Sequence, residues 1–165
     1  MSALFYTRID DSPVGPLLLA GDHDALHVLA FGVGSRPRKI DDDWAPDTKG
    51  VLDGIRRELD QYFTGRLQRF TTNLAFNGTP FQNSVWTQLT RIPYGETISY
   101  LDLANRIGNP KAVRAVGLAN GANPIAIIVP CHRVIGSNGS LTGFGGGIPT
   151  KRALLELEKG QRTLL

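Results

Sequence analysis

Cysteine is almost absent: the 165-residue chain has one, at position 131. A lone thiol excludes an internal disulfide and any zinc site built from several thiolates, so neither accounts for its presence. Long hydrophobic runs are missing as well. No apolar stretch approaches the ~20 residues that cross a bilayer, and Met1-Ser2-Ala3-Leu4 lacks the basic start and long apolar core of a secretory signal. The expectation is a cytoplasmic protein with no membrane partner. Without secretion, Asn77-Gly78-Thr79 and Asn138-Gly139-Ser140 read as turns rather than glycosylation sites. Histidine is scarce, three in all, and His23 and His27 have no partner spacing that makes them metal ligands.

What is present fits a soluble globular chain, 41% hydrophobic and 20% charged. Its charge is unevenly divided. Residues 1–78 carry nine Lys and Arg against eleven Asp and Glu, a net −2, whereas residues 79–165 carry nine against four, a net +5. The basic excess lies in the half that holds Cys131, which suits either a polyanionic partner or an ordinary solvated surface.

Turn chemistry and periodicity divide the chain at the same place. Phe5 to Ile9, Leu17 to Ala20 and Leu26 to Phe31 are short apolar runs separated by Ser-Pro-Val-Gly and Gly-Asp-His-Asp, which predicts a small antiparallel sheet. Gly32 to Lys49 reads as an exposed loop, its Asp41-Asp42-Asp43 run solvated. Leu52, Ile55, Leu59, Tyr62 and Phe63 recur at helical spacing before Gly65, and a strand is expected around Phe70 to Phe76. Thr79-Pro80 with Gln82 forms a capping box before Phe81, Val85, Leu89 and Ile92. Ser99 with Asp102 opens another helix that Gly108 ends. Asn109-Pro110 is expected to cap a third over Lys111 to Asn120, giving a helix-turn-helix. A last helix runs from about Thr150 to Lys159. The expected fold is α+β: a sheet-plus-helix lobe, 1–78, and a mainly helical lobe, 79–165.

The third helix has slim sides, Ala112, Ala115, Gly117 and Ala119, and one long projection, Arg114. That pattern suits a narrow minor groove, and equally suits tight packing on small residues. The glycine-rich loop Leu141 to Gly147 lacks Gly-Lys-Ser/Thr and is not a phosphate loop. It either lets a flat ligand approach against Phe144 or is a flexible turn. Glu158 shares a helix face with Leu154, so its carboxylate needs a partner, for which His132 and Arg162 compete.

Ile125 to Arg133, Ile-Ala-Ile-Ile-Val-Pro-Cys-His-Arg, reads as a short buried strand ending in a cysteine with a base beside it. A thiol is nucleophilic as thiolate, a form that a neighbouring His or cation favours. The same cysteine alone is also compatible with a small buried hydrophobe.

Pro130-Cys131-His132-Arg133-Val134, preceded by Arg114-Ala115-Val116-Gly117 and Gly121-Ala122-Asn123-Pro124, resembles the O6-alkylguanine-DNA alkyltransferases. Ile92-Pro93-Tyr94-Gly95-Glu96-Thr97, Ser99-Tyr100 and the Gly145-Gly146 loop match the same family. The resemblance spans the second lobe nearly end to end; the first lobe is similar only in size and order of elements. It implies that Cys131 accepts an alkyl group from O6-alkylguanine, and from O4-alkylthymine, in double-stranded DNA. His132, through a water, and Glu158 would form the activating relay, and Asn123 would hold the turn before the active-site strand. Tyr100 would donate to the flipped guanine, and Arg114 would fill the gap left in the duplex. The carbonyls of Cys131 and Val134, the ring of Phe144 and the amide of Gly145 would line the alkylguanine pocket.

Two departures stand out: phenylalanine at 144, often tyrosine in relatives, and no zinc site in the first lobe. Alkyltransferase-like proteins, which bind lesions without repair, have tryptophan where Cys131 stands. A thioether product resists water, so one reaction per molecule is expected, with no cofactor, no metal and no obligate protein partner. Cooperative assembly along DNA is left open. The rival readings are a thiol hydrolase, for which no dedicated oxyanion-hole signal is found, and a DNA-binding module with an inert cysteine.

Overall fold

A computed structural model describes residues 3–32 and 37–160. Part of the Gly32 to Lys49 loop, and Arg162 as the rival partner of Glu158, lie outside the described residues. The sheet forms around β2 (Leu17–Gly21), whose Leu-Leu-Leu-Ala-Gly is buried at every position. Continuous burial is what a strand with neighbours at both edges and cover on both faces requires. β1 (Phe5–Ile9) and β3 (Leu26–Phe31) flank it antiparallel, with Leu19 opposite Thr7 on one side and Leu29 on the other. The loop expected to be wholly exposed supplies a fourth strand, β4 (Ala45–Pro46), parallel to β1. There the Ala45 amide donates to the Leu4 carbonyl and the Asp47 amide to the Tyr6 carbonyl, each at 2.9 Å. The strand order is β3-β2-β1-β4.

Helix α1 (Asp53–Phe63) buries Ile55, Leu59, Tyr62 and Phe63 and stops before Gly65, whose φ of 77° suits a residue without Cβ. The strand expected over Phe70 to Phe76 shrinks to one bridge, Leu74 with Leu26. Its cause lies in Glu58 of α1, which accepts from the amides of Thr71 and Thr72 at 3.0 and 3.1 Å and so withdraws them from any ladder.

Beyond it the chain is mainly helical. α2 (Pro80–Leu89) and α3 (Tyr100–Arg106) each begin with a reciprocal capping box, Thr79 with Gln82 and Ser99 with Asp102. α4 (Val113–Gly121) starts two residues later than the sequence suggests, with no side-chain cap. Asn109 instead closes a turn, its carbonyl accepting from the Ala112 amide at 3.0 Å. β5 (Ile98–Ser99) pairs in parallel with β6 (Val134–Ile135), and α5 (Ile148–Glu158) completes the described chain. The whole is an α+β arrangement with a continuous hydrophobic core. Leu29 and Leu59 belong to the same buried cluster as Leu89, Leu103, Ile125 and Leu154. Among the described residues no helix is long and apolar enough to cross a membrane.

Candidate active site

The apolar run before Cys131 is not a strand. Ile125 makes a single bridge with Leu29, after which the chain turns: the Val129 amide donates to the Ile125 carbonyl at 3.0 Å, and Ile127 adopts φ 70°. Asn123 holds this turn from inside. Its Nδ2 donates to the Val129 carbonyl at 2.7 Å while its Oδ1 accepts from the Ile125 amide at 3.0 Å. The run is apolar because Ile125, Ile127 and Val129 are buried on all sides, a demand that a buried turn and a buried strand share. Cys131 to Arg133 then form one 3-10 turn that leads into β6.

This turn sets Cys131 at a cleft of about 400 Å³ between β3, the start of the Asn123 turn and the glycine-rich loop. That size is within the usual range for a small-ligand site, roughly 300 to 1,000 Å³. Cys131 retains 6% of its surface there. Asn123, Phe144 and Gly145 line the same cleft. The Phe144 ring packs edge-on against Phe31 at 5.5 Å, and Gly146 makes that approach feasible, since a Cβ there would fall 2.7 Å from the Phe31 ring. Asn120 also borders the cleft, and its buried Oδ1 has no hydrogen-bond partner among the described residues.

The other expected residues stand apart from this lining. Tyr100 begins α3, half-buried, with its hydroxyl 3.2 Å from Thr142 Oγ1 and its ring beside Gly117 of α4. Arg114 projects from the exposed face of α4. Val134 is fully buried, and its carbonyl already accepts from Lys151 Nζ at 2.7 Å.

Behind Cys131 lies a charged cluster sealed from water. His132 has no exposed surface and Glu158 keeps 5%. Glu158 Oε2 is 2.8 Å from His132 Nε2, and Arg133 grips the carboxylate in a fork, Nε to Oε1 at 2.7 Å and Nη2 to Oε2 at 3.0 Å. Burial alone raises a carboxyl, but the facing His132 and Arg133 outweigh it and hold Glu158 down at about 2. An ionised carboxylate only accepts, so the 2.8 Å contact makes His132 the Nε2–H tautomer. Its Nδ1 is then a free lone pair, and Nδ1 has no partner among the described residues. Burial pushes the imidazole below its ordinary 6.5 against the pull of Glu158, which favours the neutral ring. Burial likewise pushes the Cys131 thiol up, offset in part by Asn123 and by the charge of Lys151. The site therefore rests as thiol plus neutral imidazole rather than as the thiolate that a neighbouring cation favours. Chemically the arrangement has the parts of an activated nucleophile, a thiol next in sequence to an imidazole that a carboxylate orients.

Three contributors escape a reading of the sequence. Arg133 follows the histidine but reads there as part of the motif alone, Tyr62 reads as the apolar face of α1, and nothing singles out Lys151. Lys151 is in fact fully buried, bridging the Val134 and Thr142 carbonyls at 2.7 and 3.3 Å and lying over the Phe144 ring. Its signal is periodic: it precedes Leu154 by three residues and Glu158 by seven, on the buried face of α5.

Comparison with known proteins bears on this geometry. Residues 80–160 match the 6-O-methylguanine DNA methyltransferase, DNA binding domain, and residues 4–76 match the ribonuclease-like domain of the same name. A methylated-DNA–protein-cysteine methyltransferase of Methanosarcina acetivorans is 52% identical over 153 residues, 93% of this chain and 97% of that one. The protein of that name from Mycobacterium bovis is 53% identical over 159 residues, 96% and 94% of the two chains. In structure, the Mycobacterium tuberculosis OGT in complex with DNA matches with a TM-score of 0.88 at 52% identity, covering 97% of this chain and 98% of that one. The O6-methylguanine-DNA methyltransferase of Pyrococcus kodakaraensis matches with a TM-score of 0.64 at 26% identity over 94% and 98%. With two matched regions that together take in nearly all of its length, this chain belongs to the 6-O-methylguanine DNA methyltransferase family.

Proposed function

We propose that the protein repairs double-stranded DNA by moving the alkyl group of O6-alkylguanine, and of O4-alkylthymine, onto the sulfur of Cys131, once per molecule. The observation that carries this reading is the pairing of a thiol on a cleft with a buried histidine whose Nε2–H is committed to Glu158 and whose Nδ1 is free. His132 Nδ1 takes the thiol proton, through a water, and the imidazolium is stabilised by the ionised Glu158. The thiolate attacks the alkyl carbon, the bond from carbon to O6 breaks, and the guanine leaves as an anion that Tyr100 stabilises by donating to its ring. A positioned donor lowers such a barrier because charge develops on the leaving group. The thioether that remains is not cleaved by water, and no cofactor or metal enters any step.

Geometry of the substrate adds the flipping step. O6 lies within the base stack, so the nucleotide must leave it, at a cost of a few kcal/mol. Arg114 offsets part of this by entering the vacated space. Its helix supports that role. Ala115 is exposed beside Arg114 and packs on nothing in the core, so helix packing does not account for its smallness. Close approach to a groove does. The Mycobacterium tuberculosis relative is in complex with DNA, and the basic excess of residues 79–165 supplies sequence-independent phosphate affinity. In this reading residues 1–78 and 79–165 are the two lobes, the pocket for the flipped base is closed by Phe144, Gly145 and the carbonyl of Cys131, the Val134 carbonyl, held by Lys151 Nζ outside the cleft lining, has only its second lone pair to offer, and the protein acts in the cytoplasm.

Intact-mass measurement after incubation with methylated duplex tests the reading. The native protein is expected to keep a mass gain of one methyl group, and Cys131→Ser to bind the duplex but gain nothing. Free methylated product in excess of protein would instead mean hydrolysis, and binding without any mass gain would reduce the protein to a lesion-binding module.

A further inference from the structure

Helix α1 lies on the sheet side of the molecule, and nothing in alkyl-transfer chemistry requires it. One of its side chains nevertheless ends inside the relay. Tyr62 has no exposed surface, and its Oη is 2.6 Å from Glu158 Oε2, the oxygen that also faces His132 Nε2 at 2.8 Å and Arg133 Nη2 at 3.0 Å. The direction of this bond is fixed by charge. Glu158 is ionised, and burial beside it pushes the phenol well above its ordinary range, so Tyr62 donates and the carboxylate accepts.

Packing alone does not explain the hydroxyl. The Tyr62 ring contacts Phe63 and Phe70 at 5.4 Å and Tyr94 at 6.4 Å, contacts that a phenylalanine would also make. A buried hydroxyl costs free energy unless it is bonded, and here its partner is the relay carboxylate.

We propose that Tyr62 is a positioning residue for alkyl transfer: its hydroxyl pins Glu158 Oε2 against His132 and shares that oxygen's charge, thereby setting how firmly His132 holds a proton. The inference rests on the relay described under the proposed function. A neutral donor on Oε2 draws negative charge away from the imidazole. Without it more charge faces the ring, the imidazolium is favoured, and His132 protonates at higher pH, where it no longer serves as a base. Among the described residues the other titratable or charged groups around the pair are Arg133, Tyr94, Lys151 and Cys131, and removing the hydroxyl alters the chemistry of none of them.

The experiment is the pH dependence of single-turnover benzyl transfer from free O6-benzylguanine, which needs no DNA. It compares the native protein, Tyr62→Phe, and protein carrying 3,5-difluorotyrosine at position 62, a more acidic phenol and hence a stronger donor with the same packing. The acid limb is expected to move up in Tyr62→Phe, by on the order of half a pH unit, and down in the fluorinated protein. Limbs that coincide with the native one, or that move the same way in both variants, overturn the role of Tyr62. A native protein that gains no benzyl group, or shows no acid limb at all, overturns the relay itself. If Tyr62→Phe does not fold, the fluorinated protein alone decides, a downward limb supporting the role and an unmoved or raised limb defeating it.

Discussion

Glu158 receives four hydrogen bonds from three side chains, and that concentration decides what acid does to the protein. Its carboxyl sits at about 2 in the folded chain against 4.5 for the free group, so folding stability is complete above 4.5 and is lost as pH falls toward 2. His132 acts in the same direction for a different reason. Burial lowers its pKa below 6.5, so between that lowered value and 6.5 the unfolded chain binds the extra proton, and stability declines as pH falls through that window. Urea unfolding from pH 8 down to pH 3 is therefore expected to show a plateau above about 6.5 and two stages of loss below it. His132→Asn is expected to flatten the upper stage and to shrink the lower without abolishing it, because Arg133 still holds Glu158. Stability that rises between pH 7 and pH 5 in the native protein contradicts the neutral, buried state of this imidazole.

At the scale of elements, the sequence announces starts and stops better than it announces the segments between them. The capping boxes at Thr79 and Ser99 are legible because each joins a side chain to a backbone amide three residues away, and the stops at Gly65 and Gly108 because a residue without Cβ takes up positive φ. The Ile125 to Val129 turn is not, because its conformation is set by Asn123 and by the pairing of Ile125 with Leu29 from a distant strand. The same distance hides Tyr62 and the loss of the expected Phe70 to Phe76 strand to Glu58. In the site, Cys131, His132, Glu158 and Asn123 are legible through motif and resemblance, whereas the Tyr62 donor that reaches Glu158 from α1 is not. Asn123→Ala removes one donor and one acceptor from a buried turn and is expected to cost roughly 1 to 3 kcal/mol, measured by denaturant unfolding. Asn123→Asp should not restore it, since an oxygen would then face the Val129 carbonyl where Nδ2 now donates. Recovery of native stability by the aspartate would show that the turn does not depend on that bond.

For the molecule as a whole, the division of charge and the continuity of the core pull in different directions. The core ties β3 and α1 to the cysteine turn, so the two halves meet at Cys131, while the basic excess belongs to one half only. Chemistry at Cys131 and grip on DNA should therefore be separable by mutation, and Arg114 is where to separate them. It is exposed on α4 and lies outside the lining of the Cys131 cleft. If it stabilises the duplex around an extruded nucleotide, Arg114→Ala should slow repair of methylated duplex roughly tenfold or more, equivalent to about 1.4 kcal/mol, and leave the reaction with free O6-benzylguanine nearly unchanged. The free base has no stack to leave, so a wedge has nothing to do there. Losing one cation should also lower the salt dependence of duplex binding by about one counterion. Equal losses on duplex and free base would mean that Arg114 acts on the cleft through α4 and not on the DNA, and the slim face of that helix would then need another explanation.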